Sequence, residues 1–366
     1  MGTYPDVDFA VIGAGVAGLA IARSLIQKGK SVCLVDTRDI AAGASGTPLG
    51  LINPATGRYG SKVWEAENCL NAVAKDLQEV QSSAPNRFYK NTGILRPAQD
   101  EKMVRRMREN VDKNDWPEGW CSWLDEAEVK DINPNLNCMG GAMWLPKGLT
   151  VNVGEYLKAK AKFLTHKGLS VKTGRQYELS LDKGQPIFKF DDGDTIHANS
   201  VVFAAGYETS TSKYWAFLPL HSIKGQVATF TSPEADNFDY SLSALGYIAS
   251  ISDSRFIAGS TYEHHFDDLE PDKEGLKYLK NRLGGVYPAL FEKARLISQW
   301  AGVRASTPNR KPFLGQHPEI KNFYVFTGLG SKGLMYSEYM GNLLCEHILD
   351  EKRIPENLNV DRIEPQ

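Results

Sequence analysis

The stretch FAVIGAGVAGLAIARSL, residues 9 to 25, confines the start of this chain to very few folds. An apolar run stops at Gly13, and Gly13, Gly15 and Gly18 then spell G-x-G-x-x-G where helical spacing begins. A second apolar run, SVCLVD, ends on Asp36, eighteen residues after Gly18. Strand, glycine turn, helix and strand make a βαβ unit, and strands apolar on both faces belong to a buried parallel sheet. In such a unit the first glycine permits the sharp turn, the second lets backbone approach a pyrophosphate, and the third lets helix pack on strand. The helix start, with Ala14, Val16 and Ala17, presents free N–H groups and a partial positive charge to phosphate. Asp36 is placed to accept hydrogen bonds from a ribose.

A second turn of the same kind comes some three hundred residues later, in FTGLGSKGLMYSEYMG, residues 326 to 341. We read the two turns as seats for opposite ends of one long ligand. The segment after Asp36 bears on which ligand. It runs DTRDIAAGASGTPLGLINPATG and is rich in small residues. Ala41, Ala42, Gly43, Ala44, Ser45 and Gly46 let backbone amides reach a ligand that continues past its pyrophosphate, and we count Thr37, Arg38, Leu49, Gly50 and Leu51 among its contacts. NAD has no need of such a stretch; FAD, with its ribitol and ring, does.

The remaining composition narrows the class. The 366 residues carry a net charge of -2, so no bulk basic field draws in nucleic acid. The five cysteines show neither zinc nor Cys-x-x-Cys spacing, which fits a reduced, cytoplasmic protein. The start, MGTYPDVD, has no signal-peptide pattern, and no apolar run reaches the roughly 18 to 20 residues of a membrane span. His264 and His265 are adjacent, so on a strand they face opposite ways and share no metal.

Along the chain, parallel-type strands fall near residues 7 to 36, 201 to 206 and 323 to 327, while antiparallel-type strands cluster between 223 and 262. Helical spacing appears at 64 to 83, 99 to 115, 151 to 168, 270 to 284 and in a final helix to about 350. The expected fold class is α/β: an FAD-binding Rossmann-like lobe with an inserted antiparallel-β substrate lobe. We assign 1–80, 145–215 and 296–366 to the first lobe, and 81–144 and 216–295 to the second.

The N-terminal fingerprint, GASG, SVVFAAG, WAGVRASTPNRKPFLG and NFYVFTGLGSKGLMYSEYMGNLLCEHI together resemble the D-amino acid oxidase and glycine oxidase superfamily of FAD-dependent amine oxidases. GASGTPLGLINP, LPLHSIKGQV and GLGSKGL look most like the FAD domain of the bifunctional enzymes that complete 5-methylaminomethyl-2-thiouridine in tRNA. The resemblance implies noncovalent FAD, because Ala305 and Ser306 stand where related sarcosine oxidases carry a flavin-linked cysteine. It implies cofactor contacts at Tyr177, at Ala204, Ala205 and Gly206, and at Gly328, Gly330, Ser331, Lys332, Gly333 and Leu334 beside the flavin's pyrimidine edge. It places Arg304 on a substrate carboxylate, and Tyr247 and Tyr262 over the substrate face of the flavin.

The chemistry it implies is hydride transfer from the carbon beside an amine to flavin N5, imine hydrolysis and release of hydrogen peroxide. Three departures stand out: Asp36 where relatives often carry Glu, Lys332 where they carry Arg, and no room for a methyltransferase half. A small amino acid or secondary amine and a modified tRNA both remain open as substrate, and the other readings are a flavin-binding protein without turnover and a dehydrogenase that passes its electrons to a partner. The helix EKMVRRMRENVDK carries Lys102, Arg105, Arg106, Arg108 and Lys113, but Glu101, Glu109 and Asp112 are interleaved, as on a solvated face. Trp64, Trp116, Trp120 and Trp123 offer rings for bases or for packing.

Overall fold

A computed structural model describes residues 6–237, 239–252 and 254–363. The strand Val7–Ile12 lies at the centre of an eight-stranded sheet. It runs parallel to Val32–Asp36 on one side and to the far half of Thr195–Phe203 on the other. Ser170–Thr173 and Phe323–Thr327 extend the parallel set outward. The expected parallel strands therefore do meet in one sheet, although they lie up to three hundred residues apart. Their residues point into cores on both faces, and Ala10, Val11, Leu34, Val202 and Val325 are fully buried. The helices Val16–Gln27, Ala66–Gln81, Val153–Thr165 and Gly333–Asp350 contribute to the core on one face. The other face is packed by Phe188, Trp215 and Phe313. The hairpin read from the Asp-Gly turn is present, with Phe188 opposite Ile196.

The second sheet also has eight strands, in the order Arg295–Ser306, His221–Thr231, Arg255–Gly259, Tyr247–Ser252, Ser241–Ser243, Ile94–Pro97, Ala142–Leu145 and Ser122–Leu124. The three strands read from sequence between 223 and 262 are neighbours here, and Phe230 stacks on Phe256 at 5.3 Å. The edge strand differs from expectation. Arg295–Ser306, grouped from sequence with the nucleotide-binding pieces, pairs with His221–Thr231 from Ser306 opposite His221 to Arg295 opposite Thr231. Its first residues are exposed and lack the apolar alternation that would announce a strand. Pairing along a long partner, rather than local pattern, settles its place.

The helix starts at the glycine-rich turns contrast with four capped ones. Asp100, Asp125, Asn152 and Asp272 each accept a backbone N–H as N-caps of the helices Glu101–Lys113, Glu126–Ile132, Val153–Thr165 and Lys273–Gly284. The helices Val16–Gln27 and Gly333–Asp350 have no side-chain cap and no acid in the first turn. These two begin at the two glycine-rich turns.

Candidate active site

A cavity of about 1140 Å³ is lined by both sheets and by both glycine turns. Of the residues singled out from sequence, Gly13 to Ala17, Asp36, Thr37, Arg38, Gly43, Ala44, Ser45, Leu49, Gly50 and Leu51 line it. So do Tyr177, Ala204, Ala205, Gly206, Tyr247, Tyr262, Arg304, Gly328, and Gly330 to Leu334. Gly18 and Gly46 stand behind its wall. A Cβ on Gly18 would lie 1.8 Å from the Gly13 carbonyl oxygen, so the residue serves helix packing. A Cβ on Gly46 would lie 2.5 Å from the Ala41 carbonyl oxygen.

At the N-terminal end, Gly13 adopts φ +109°, and a Cβ there would meet the Ala204 carbonyl oxygen at 2.4 Å. Both strain and space demand glycine. Asp36 does more than wait for a ribose. Its Oδ2 accepts from the Ala14 N–H at 2.8 Å and its Oδ1 from the Arg38 N–H at 2.9 Å, so the carboxylate braces the turn it faces. The Val16 N–H donates to Ser45 Oγ at 3.2 Å, which ties the small-residue loop to the helix start. Arg38 pairs with Glu208 at 2.6 Å, an acid that sequence reasoning did not single out. Tyr177 packs on Phe188 and Phe190, and burial, then the nearby Asp36 and Glu208, pushes its phenol above the usual range.

At the C-terminal end, the turn passes through a single 3-10 turn, Gly330–Lys332, into the last helix. Lys332 Nζ donates to the Arg310 carbonyl at 2.9 Å and lies 5.2 Å from the centre of the Tyr336 ring. Burial lowers its pKa, and Arg310 and Lys311 add repulsion. The two ends fit an elongated anionic cofactor in several respects: length, small residues along the path, and two helix starts whose N-cap residues supply no side-chain acceptor.

The second sheet supplies the remaining wall. Arg304 Nη2 donates to Ser260 Oγ at 2.7 Å and Nη1 to the Thr261 carbonyl at 3.3 Å. Its guanidinium lies 4.7 Å from the Tyr262 ring centre, a cation–π contact with a ring that is 56% exposed. Opposite, Gly225 makes the space: a Cβ there would meet Arg304 Nη2 at 2.1 Å. Tyr247 donates its hydroxyl to the Leu49 carbonyl at 2.8 Å, and burial pushes its phenol up to about 12. It is a neutral donor near neutral pH. Trp300, two places before Gly302 and four before Arg304, shares their face of the strand. Sequence reasoning missed Trp300, Ser260 and Arg96, which also line the cavity. The one signal for Arg96 was a charge between Leu95 and Pro97 in an otherwise apolar stretch.

Outside the cavity, Trp64 and Trp120 pack against the first core, and Trp116 and Trp123 against a smaller one. Lys62 and Arg108 cover Trp116 and Trp123 at 5.7 and 5.0 Å from the ring centres. The Glu101–Lys113 helix buries Met103 and Met107 and pairs Arg106 with Glu109 at 3.3 Å, as a solvated amphipathic helix does. Among the described residues no helix is long and apolar enough to cross a membrane.

Residues 8–347 match the family model described as "FAD dependent oxidoreductase". The chain is 26% identical over 370 residues to the tRNA 5-methylaminomethyl-2-thiouridine biosynthesis bifunctional protein of Marinobacter nauticus, an alignment covering 94% of this chain and 56% of that protein. It thus spans about half the length of the curated relatives it matches. Among solved structures, glycine oxidase from Geobacillus kaustophilus superposes with a TM-score of 0.84 at 21% identity, covering 96% of each chain. Iminodiacetate oxidase from Chelativorans sp. BNC1 superposes with a TM-score of 0.81 at 22% identity, covering 98% of each. These likenesses establish the fold.

Proposed function

Because the chain belongs to the FAD-dependent oxidoreductase family, we propose that it oxidises the C–N bond of an amino acid or N-substituted glycine. The observation that carries this reading is Arg304. Its guanidinium opens on the same cavity as the two glycine turns, fits the space left by Gly225, and among the described residues meets a hydroxyl, a carbonyl and a ring but no carboxylate. A planar carboxylate suits it, through two charge-assisted hydrogen bonds.

Bound noncovalently between the turns, FAD would supply the hydride acceptor, to be reoxidised by oxygen with formation of hydrogen peroxide. Gly13 to Ala17 and Asp36 would hold its nucleotide end, and Gly330 to Leu334 its far end. Arg304 fixes the substrate by its carboxylate, so the adjacent carbon keeps one orientation in the cavity. Tyr247 stays protonated and donates. Val227, Tyr247 and Trp300 line the cavity and pack in one apolar cluster. Once the amine has become an imine, water releases the product. In this reading the first-sheet segments serve the cofactor and the second sheet serves the substrate.

A second substrate carries the same group. Carboxymethylaminomethyl-uridine in tRNA is itself an N-substituted glycine, and the Marinobacter relative bears the name of that pathway's enzyme. Anaerobic mixing of the flavin-loaded protein with glycine, sarcosine, proline, D-alanine and tRNA bearing that uridine separates the readings. Loss of visible flavin absorption with a free amine, and peroxide on admitting air, is the expected result. Bleaching by tRNA alone would select the second substrate. No bleaching by any of them would favour a flavin protein without turnover.

A further inference from the structure

Arg96 is 3% exposed, lines the cavity, and has no carboxylate partner among the described residues. Its hydrogen bonds run from Nη1 to Ser243 Oγ at 2.8 Å and the Ala55 carbonyl at 3.5 Å, and from Nη2 to the Gly57 carbonyl at 2.5 Å. Three of five N–H groups are thus engaged, and Nε has no acceptor. Burial lowers its pKa to about 10, which leaves it charged at neutral pH. A buried cation without a counter-charge is costly unless something else supplies the anion. The neighbouring Arg58 does not share this position, since it pairs with Asp100 at 2.5 Å.

The sheet register relates Arg96 to Arg304. Leu242 lies beside Leu95, which sets Ser243 beside Arg96. Ser243 pairs with Tyr247, and Tyr247 with Gly259, the residue before Ser260. The two guanidinium groups therefore reach hydroxyls two strands apart, with Tyr247 between. At about 4.8 Å per strand, those two hydroxyls stand roughly 10 Å apart. A carboxylate hydrogen-bonded at each end leaves a gap that a short, flexible C–C–N–C–C chain between two carboxyl carbons can span. Ser243 accepts from Arg96 and, at 3.4 Å, from the Asn53 amide, so its own hydrogen is available to an anion. One uncompensated charge calls for a carboxylate rather than a phosphate dianion.

We propose that Arg96 and the Ser243 hydroxyl form a second anion subsite, which binds the far carboxylate of a dicarboxylic secondary amine whose near carboxylate lies on Arg304. This rests on the amine-oxidation reading, and its test is separable from it. Glutarate has the same linker length and cannot be oxidised at nitrogen, while pentanoate lacks the second charge. Calorimetric titration of the flavin-loaded protein is expected to show glutarate binding at least tenfold more tightly than pentanoate. Arg96→Met should reduce that ratio to near one, Ser243→Ala should reduce it severalfold, and Arg304→Ala should weaken both ligands. A wild-type ratio near one overturns the subsite, as does a ratio that Arg96→Met leaves intact. If Arg96→Met does not fold, Ser243→Ala decides, and an unchanged ratio there rejects the assignment. Flavin bleaching plays no part in this measurement, so failure of the oxidase reading would show up elsewhere.

Discussion

Where four helices meet, Arg23 pairs with Asp76 at 2.8 Å, and Lys160 pairs with Asp76 at 3.1 Å and with Glu338 at 2.5 Å. The Tyr156 hydroxyl donates to Asp76 as well. Among the described residues Arg96 and Arg304, on the cavity wall, meet neutral hydroxyls, carbonyls and the Tyr262 ring, and no carboxylate. None of Arg23, Asp76, Lys160 and Glu338 lines the cavity. The contrast separates two uses of one residue type. In the helix cluster each charge is answered from within the chain, and the set fixes how the first and last helices sit. On the cavity wall the chain supplies geometry and withholds the counter-charge, which suits a ligand that brings its own.

That contrast can be broken in four ways. The largest effect is expected from Asp76→Ala, which strands Arg23 and Lys160 in the interior. Removing one member of a buried ion pair costs about 3–5 kcal/mol. Denaturant unfolding should show that loss, and Arg96→Met should cost clearly less. Equal losses would erase the distinction between the two regions. Next, Arg304→Ala should raise KM for a carboxylate-bearing amine about tenfold or more, about 1.4 kcal/mol, with unfolding little changed. A normal KM would remove the carboxylate role.

Lys332→Met is smaller still. A cation at a helix start that faces reduced flavin contributes roughly 1 kcal/mol, about 20 mV for a two-electron couple. The midpoint potential should fall by that order while FAD stays bound, and an unmoved midpoint would exclude Lys332 from tuning. The last prediction concerns pH. Burial first, and Asp76 second, push the Glu338 carboxyl from the ordinary 4.5 to about 7, against the pull of Lys160. Between those values the folded chain keeps a proton that the unfolded chain has lost, so stability falls as pH rises through the window. Melting temperatures from pH 5 to 8 should show that slope in the wild type and a shallower one in Glu338→Gln. A variant that falls as steeply would leave the slope to another group.

Much of the cofactor end was legible because its requirements are local. Gly13 needs a positive φ, Gly18 needs contact with a residue five places back, and Asp36 ends the adjacent strand. The substrate end was legible only in part. Arg304 was visible through resemblance, but Gly225, which admits its head, is seventy-nine residues away and reads as an ordinary glycine. Arg38 looked like a cofactor contact, and only the fold shows Glu208 across from it.

The sequence alone therefore determined the two glycine turns, the helices they open and the parallel strands that feed them. Sterics within a few residues dictate those features. Tertiary structure decided that Arg295–Ser306 joins the second sheet, that Ser243 and Tyr247 stand between Arg96 and Arg304, and that four charges among the helices are paired. Strand register is a property of two partners together, and a buried charge acquires its meaning from whichever distant side chain the packing brings within reach.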